Sequence, residues 1–248
     1  HHRLLHIATD GETFGHHKAY GERALAYLLE VEAPRRGLRI TNYGEFLAEH
    51  PPYSEVRLKE GGTSWSCAHG VKRWIEHCGC RGGGPPAWTQ HWRKPLRESL
   101  DWLRDELAKV FESLGRRYFK DVWRARDDYI RLILEPSEKN KWLFFEQHAS
   151  RPLVAREVEL GLELLEIEKY AMLMYTSCGW FFTEISGIET VQILRYARRA
   201  IELAKDLTRK SLEEEFVHHL AKAKSNVPEF KSFRGVYEKL VKFPLNPA

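Results

Sequence analysis

Acidic and histidine side chains follow an apolar segment near the start of the sequence, in the stretch LLHIATDGETFGHH. Asp10 comes directly after the apolar residues, Glu12 follows across one glycine, and His16 and His17 close the stretch. A carboxyl group that is partly desolvated beside a second carboxylate has a raised pKa and can deliver a proton at neutral pH. The structural alternative is that Asp10 and Glu12 only cap the helix that follows.

Three cysteines and a histidine form the pattern C-x-H-x8-C-x-C, and they are Cys67, His69, Cys78 and Cys80. Zinc takes four thiolate and imidazole ligands in a tetrahedron, and a closed set of four would hold together a glycine-rich loop that has little core of its own. The pattern therefore predicts a structural zinc site. Two alternatives stay open: buried thiols beside a histidine that bonds the backbone, and substrate contact by His69.

Aromatic side chains in loop-like surroundings are the second feature suited to binding. Trp65 lies in a glycine- and serine-rich segment, and Trp180 follows Gly179, which interrupts a helical pattern. Aromatic faces stack on the apolar faces of sugar rings while acids and histidines bond the hydroxyls, so this combination of side chains suits a carbohydrate cleft, and Trp65 and Trp180 are its best candidates. Trp74 and Trp92 lie on helical segments and are expected in the core. A helix–helix turn packed with aromatics is the alternative for Trp180.

The elements that must position these side chains begin as alternating strands and helices. Short strands are predicted at Leu4–Ala8, Leu38–Thr41 and Ser54–Lys59. Helical spacing predicts helices over Lys18–Glu32 and Tyr43–Glu49. In folds of alternating strands and helices, catalytic groups lie at the carboxyl ends of the strands. Asp10 lies at the carboxyl end of the first predicted strand. Residues 1–60 are therefore predicted to be the last βα units of an α/β domain.

The rest of the chain is predicted to be helical. Residues 61–86 form a long loop rich in glycine, cysteine, histidine and tryptophan, and long structured loops are usually functional. Beyond them roughly six helices of ordinary length are predicted, including ones around Leu153–Thr176 and Ile188–Lys205. The predicted fold is an α/β remnant followed by a mostly α-helical domain at residues 61–248, with helix dominating overall.

Charge and hydropathy narrow the classes of partner. The 39 lysines and arginines exceed the 35 acidic residues by a net charge of +4 that is spread along the chain, which disfavours nucleic acid. Apolar segments are far shorter than the ~20 residues needed to span a bilayer, so we expect no membrane partner and a cytoplasmic location. Four cysteines in a chain this long do not indicate the disulfide framework of a small secreted domain.

The segment Asp-Gly-Glu-Thr-Phe-Gly after an apolar strand resembles the fourth conserved region of glycoside hydrolase family 57. Members of that family act on α-glucans through an incomplete (β/α) barrel followed by a helical domain. The resemblance implies that Asp10 is the general acid/base, with Glu12, Phe14 and Gly15 matching the motif around it. It implies an α-glucan oligosaccharide or polysaccharide as partner, and hydrolysis that needs no cofactor. Substrate contacts are then expected from Glu12, His16, His17, Trp65, His69 and Trp180.

Three further segments are similar to the helical domain of unknown function attached to one branch of family-57-like proteins: Thr63–Gly70, Cys78–Cys80 and Tyr175–Phe182. Retaining hydrolysis needs a second carboxylate about 5 Å from the first, and the family's nucleophilic glutamate lies on an earlier barrel strand. The strand pattern here begins at Arg3. We therefore expect the C-terminal portion of a longer retaining hydrolase or glucanotransferase, inactive alone, whose N-terminal barrel part belongs to the same chain.

Two other functions stay open. A metal-dependent carbohydrate deacetylase-like enzyme would use Asp10, His16 and His17 as ligands around an activated water. A non-catalytic glucan-binding module would recognise polysaccharide through its helical domain and would bind without turnover.

Overall fold

The computed structural model describes residues 4–242 and divides the chain into two compact units, His1–Leu58 and Lys59–Ala248. The outer ends of the two predicted domains, residues 1–3 and 243–248, lie outside the described residues. Helices dominate, as the sequence predicts. No helix among the described residues is both long enough and apolar enough to cross a membrane.

The first unit contains two short helices, α1 at Gly21–Tyr27 and α2 at Tyr43–Glu49. The turns Leu28–Glu32 and Ala33–Arg35 continue α1, and the helix stops shortly after the proline within the second turn. Asn42 begins α2, because its side-chain oxygen accepts a hydrogen bond from the backbone amide of Glu45 at 3.0 Å.

The predicted strands of this unit are not formed. Leu4–Ala8, Leu38–Thr41 and Ser54–Lys59 have no strand partner, and the described residues contain isolated β-bridges only. A strand is stable when its backbone pairs with a neighbour in a sheet, and apolar pattern alone does not supply that neighbour. Ala33 is the one buried residue among residues 4–58, so the predicted α/β remnant is not shown here.

The second unit is built from helices whose bounds are α3 Arg93–Gly115, α4 Val122–Leu134, α5 Glu138–His148, α6 Ala155–Leu173, α7 Ile188–Thr208, α8 Glu213–Leu220 and α9 Phe233–Val236. A helical turn at Tyr237–Lys242 continues α9. Single turns lie at Lys72–Trp74 and Ser177–Trp180. Capping defines two helix starts, since Asp121 and Ser137 accept hydrogen bonds from backbone amides in the first turns of α4 and α5.

The core of this unit surrounds α3. Five apolar residues on α3 recur every three or four positions and are fully buried: Leu96, Leu100, Leu103, Leu107 and Phe111. That face packs against α6, α7 and α8, while α6 and α7 pack extensively on each other. The loop at residues 61–86 belongs to the same unit and reaches the first turn of α3.

Candidate metal centre

A tight turn in the loop at residues 61–86 brings the first two residues of the cysteine–histidine pattern together. Ser64 forms an isolated bridge with Cys67, and its hydroxyl donates to the carbonyl of Gly70 at 2.9 Å. Gly70 has φ +76°, and a Cβ placed there would lie 2.9 Å from the carbonyl oxygen of Gly62. Only glycine fits this position without displacing the backbone, because both the φ angle and the space exclude a side chain.

The side chains of Cys67, His69, Cys78 and Cys80 converge, with one ligand atom from each lying within 4.8 Å of the others. Cys67 Sγ is 3.8 Å from the Sγ atoms of both Cys78 and Cys80, and Cys80 Sγ is 3.5 Å from His69 Nδ1. A tetrahedron with Zn–S bonds of about 2.3 Å and Zn–N bonds of about 2.0 Å separates two sulfurs by ~3.8 Å and sulfur from nitrogen by ~3.5 Å. Three of the distances in the cluster therefore match those of a tetrahedral zinc site, and all four ligand atoms lie within 4.8 Å of one another.

The surroundings of Cys67 favour a thiolate. Burial raises its pKa, but amide hydrogen bonds from Arg73 and His69 and the neighbouring thiols of Cys80 and Cys78 outweigh burial and bring the pKa down to about 6. Burial raises the pKa of Cys78. Of Cys67 and Cys78, Cys67 is therefore the thiol that gives up its proton first, and thiolates are the form of cysteine that binds metal.

A buried arginine lies against the cluster. Arg93 is 0% exposed, and its Nη1 lies 3.8 Å from Cys78 Sγ and donates to the carbonyl of Cys80 at 3.0 Å. Burial lowers the pKa of Arg93 to about 10, so the guanidinium is charged at neutral pH. A buried cation next to three thiols supplies the charge balance that a site with several thiolates needs.

The loop packs on the second motif that the sequence analysis selected, Ser177–Glu184. The guanidinium of Arg73 lies 4.3 Å from the ring centre of Phe181. Trp74 donates to the carbonyl of Ser177 at 2.9 Å, and Trp92 donates to the carbonyl of Thr183 at 3.0 Å. Two motifs about a hundred positions apart in sequence therefore form one contact region.

Backbone contact between the two motifs is close at Gly82. A Cβ at this position would lie 2.7 Å from the carbonyl oxygen of Phe181, so a side chain would push the two segments apart. The hydroxyl of Thr183 donates to the carbonyl of Gly83 next to it. The glycines of the loop therefore allow its backbone to pack closely against the residues that follow the turn at Ser177–Trp180.

The structure corrects the expectation that Trp180 faces a cleft. Its side chain is 1% exposed and its ring stacks on Tyr175 with parallel planes 6.4 Å apart between centres. The turn at Ser177–Trp180 directs the ring into the core. Ile193 of α7 packs directly against Gly179, where a side chain would keep α7 away from the turn. Trp65 differs, since its side chain is 83% exposed. Trp92 is buried, as expected.

Asp10 and Glu12, the acidic residues selected from the sequence, lie at an exposed turn. Asp10 precedes the single turn Gly11–Thr13, and within the described chain no amide donates a capping hydrogen bond to its carboxylate. Glu12, His16 and His17 are exposed, with the two histidine rings in edge contact at 4.9 Å between centres. Across residues 4–242, the cysteine–histidine cluster is the one group arranged to hold a metal ion, so Asp10, His16 and His17 do not form a ligand set.

Arg93 and Arg73 belong to no motif that the sequence shows on its own. A signal for Arg93 does exist, because it lies three positions before Leu96 and so falls on the apolar stripe of α3. An arginine on a core face must be paired, and a cysteine cluster that ends thirteen residues earlier offers a partner. For Arg73 no periodic pattern exists, since its segment makes only a single turn.

Comparison with known proteins identifies one family. The model of a family described as a domain of unknown function (DUF3536) matches residues 88–245, which include α3 through α9 and the motif at Ser177–Glu184. Neither the curated proteins nor the solved structures contain a match to the chain.

Proposed function

The chain belongs to the DUF3536 family, and we propose that a structural zinc centre formed by Cys67, His69, Cys78 and Cys80 fastens the loop at residues 61–86 to the helical domain of that family. The observation that carries the proposal is the convergence of four ligand atoms within 4.8 Å, with three of their distances equal to those of a zinc tetrahedron. Four protein ligands leave no open position for water or substrate, and closed sites of this kind are structural.

Charge supports zinc in this environment. Three thiolates and a neutral imidazole around Zn²⁺ carry a net charge of −1, and the buried guanidinium of Arg93 lies 3.8 Å from one of the sulfurs. The cation therefore offsets the remaining charge inside the protein. With the metal bound, the loop would gain the rigidity that its many glycines and small apolar content do not provide.

Metal analysis tests this proposal. We expect the purified chain to contain one zinc ion, measured by elemental mass spectrometry against protein concentration, and Cys78→Ser to lose most of it. Cys178→Ser is the matched control, because Cys178 is an exposed thiol outside the cluster and its substitution should leave the zinc content unchanged. A chain without zinc after refolding in excess zinc, or equal zinc in the Cys78 and Cys178 variants, would contradict the proposal.

We also propose that this chain is the C-terminal portion of an α-glucan-active retaining glycoside hydrolase or glucanotransferase. The resemblance of residues 10–15 to the family-57 acid/base motif supports this. Leu5 and Ile7 of the first unit are about 80% exposed, and apolar side chains exposed to this extent are expected to be covered by further parts of the protein. The barrel itself would come from further residues of the same protein.

In that reaction Asp10 donates a proton to the glycosidic oxygen as it leaves, and then takes a proton from the attacking water or acceptor sugar. The nucleophile is a second carboxylate from the barrel part. The exposed side chains of Glu12, His16 and His17 in the first unit are proposed to contact the glucan, and exposed Trp65 in the second unit is a separate candidate contact. His69 is assigned to the metal rather than to the substrate, since Nδ1 lies 3.5 Å from Cys80 Sγ.

Asp10→Asn in the protein that includes the barrel tests the acid/base assignment. Turnover of an α-glucan should fall by a factor of about 10³ or more, while glucan binding stays intact, because the amide cannot transfer the proton. Glu30→Gln, at an exposed acid on the same unit, should leave turnover unchanged. Turnover near that of the unmodified protein in Asp10→Asn would refute the assignment.

A further inference from the structure

Three of the four cysteines of the chain lie within reach of one another as free thiols. Cys67 Sγ is 3.8 Å from Cys80 Sγ and 3.8 Å from Cys78 Sγ. A disulfide bond is about 2.05 Å long, so an approach of about 1.8 Å brings either pair of sulfurs to bonding distance. The ligands of the proposed zinc centre are therefore also arranged for oxidation to a disulfide.

The two possible partners of Cys67 have different surroundings. Cys80 Sγ lies 3.5 Å from Nδ1 of His69, which is an exposed residue. Cys78 Sγ lies 3.8 Å from Nη1 of Arg93, which is fully buried. Oxidation of a cysteine depends on its exposure and on its thiolate character. A small oxidant that arrives from solvent therefore reaches Cys80 before Cys78.

Charge balance favours the same partner. Loss of Zn²⁺ together with two thiolates leaves the net charge of the cluster at −1, the value that it has with zinc bound. When Cys67 pairs with Cys80, the remaining thiolate is that of Cys78, whose sulfur lies beside the Arg93 guanidinium. When Cys67 pairs with Cys78, that guanidinium loses its sulfur contact. A buried cation needs a partner, so the pair Cys67 and Cys80 is the one that preserves it.

We propose that the cysteine–histidine cluster is a reversible redox switch, in which hydrogen peroxide joins Cys67 to Cys80 in a disulfide and zinc is released. The inference rests on the proposed zinc centre and assigns a regulation to it. After oxidation, Cys78 and His69 are the two ligands left in the set, and a structural zinc site needs four.

The reaction takes two electrons from sulfur. The Cys80 thiolate attacks one oxygen of hydrogen peroxide, the O–O bond breaks, and a sulfenic acid forms while hydroxide leaves. The Cys67 thiolate then attacks the sulfur of Cys80, the S–O bond breaks, and a second hydroxide leaves as the S–S bond forms. Two protons from solvent convert both hydroxides to water. A dithiol reverses the change, because it returns two electrons and two protons to the disulfide.

The two states fasten the loop at different numbers of points. Zinc joins four positions of the loop, whereas the disulfide joins two. Contact with the helical domain does not depend on these bonds, since the Trp74 indole donates to the carbonyl of Ser177. We therefore expect oxidation to free the side chains of His69 and Cys78 while the loop stays on the helical domain.

Zinc release and disulfide mapping on the purified chain test the inference. The zinc-loaded chain is treated with hydrogen peroxide, released zinc is followed with a chromophoric indicator, and free thiols are alkylated before peptide mapping by mass spectrometry. We expect about one zinc ion for each hydrogen peroxide consumed, a disulfide between Cys67 and Cys80, and an alkylated Cys78. Dithiothreitol should restore zinc binding.

Two variants sharpen the test. Cys80→His keeps four zinc ligands, because zinc accepts two cysteines and two histidines, but it cannot form the proposed disulfide. It should bind zinc and release it in peroxide at least tenfold more slowly than the unmodified chain. Cys178→Ser is the control, because Cys178 is an exposed thiol outside the cluster, and it should release zinc like the unmodified chain.

The zinc content before peroxide is added separates the two possible failures. A reduced chain without zinc contradicts the zinc centre and the switch together. A zinc-loaded chain that keeps its metal in peroxide overturns the switch alone. Release with a disulfide between Cys67 and Cys78, release without any disulfide, or equally fast release from Cys80→His also overturns it. If Cys80→His does not bind zinc, the disulfide mapped in the unmodified chain decides.

Discussion

The guanidinium of Arg93 lies 3.8 Å from the sulfur of Cys78, and the arginine is fully buried at the first turn of α3. It also donates to the carbonyls of Cys80 and Phe181, so a single side chain joins the cysteine cluster to the turn that precedes α7. Its charge and its fork of donors both matter, because lysine could supply the charge but not the two carbonyl contacts in the same geometry.

Replacing this arginine should weaken metal binding. Arg93→Leu leaves the net charge of the zinc site unbalanced inside the protein, and we expect zinc affinity to fall at least tenfold, about 1.4 kcal/mol. Arg93→Lys should recover part of the loss. Competition with a chromophoric chelator measures the affinity, and Lys94→Leu, at an exposed neighbour on α3, is the control. Equal affinities for the Arg93→Leu and Lys94→Leu variants would show that the guanidinium does not stabilise the site.

A methyl group at one glycine should open the loop. Gly70→Ala introduces both a left-handed residue and a contact of 2.9 Å with the carbonyl of Gly62, whereas Gly61→Ala has the same φ of +76° and open space around it. Both variants lose about 1 kcal/mol from the φ angle, and only the first also has a clash. We expect Gly70→Ala to lower zinc affinity more than Gly61→Ala does, in the same chelator competition. The reverse order would show that the turn is not built as described.

Removing zinc should loosen one region and leave another intact. After treatment with a chelator, we expect faster amide hydrogen exchange at residues 61–86 and 177–183, which are held together by the loop contacts. Amides in α6 and α7 should keep their protection, because their burial comes from helix packing. Uniform loss of protection across the second unit would instead assign the metal to the stability of the whole helical domain.

The buried carboxyl group of Glu168, on the core-facing side of α6, should make the free energy of unfolding depend on pH. Burial raises the pKa of Glu168, and its Oε1 has no hydrogen-bond partner among the described residues. A carboxyl group whose pKa in the folded state lies above the unfolded value of about 4.3 lowers the free energy of unfolding as pH rises from the unfolded pKa to the folded pKa. Above the folded pKa this loss is complete. Glu168→Gln should therefore raise the free energy of unfolding by about 1 kcal/mol at pH 8 and by little at pH 4.

Urea unfolding at the two pH values measures this difference. Glu159→Gln, on the exposed face of α6, is the control and should change the free energy of unfolding by less than about 0.5 kcal/mol. A Glu168→Gln variant that is less stable at pH 8 than at pH 4, relative to the unmodified chain, would reverse the sign and contradict the role of burial.

The two tryptophans selected from the sequence should behave differently when truncated. Trp180→Ala creates a cavity in the core and should lower the free energy of unfolding by about 3–5 kcal/mol. Trp65→Ala removes a side chain that is 83% exposed and should change it by no more than about 0.5 kcal/mol. Thermal and urea unfolding give both values. Similar values for the two variants would be incompatible with the burial described for Trp180.

Two features that depend on residues close in sequence, the cysteine–histidine cluster and the long helix α7, were predictable from local patterns. The spacing of Cys67, His69, Cys78 and Cys80 predicted a cluster because a short glycine-rich loop cannot take its ligands far apart, and the structure gathers them. The helix predicted around Ile188–Lys205 corresponds to α7, because apolar spacing is a property of the segment itself.

Features that depend on distant residues were not predictable in this way. Leu4–Ala8 reads as a strand, yet a strand requires a partner that the pattern cannot specify. The direction of Trp180 depends on how closely α7 approaches Gly179, and the contact of Arg93 with Phe181 joins residues 88 positions apart. The motifs are visible in the sequence, but the packing of one against the other is not.

The hydrogen bond from Trp92 to the carbonyl of Thr183 joins residues 91 positions apart in sequence. The four candidate ligands, in contrast, lie between residues 67 and 80. The cysteine–histidine cluster is therefore local in sequence, whereas the contacts around it depend on distant parts of the helical domain. A change in the helical domain that displaces residues 177–183 can thus alter the cluster without touching any of its four ligands.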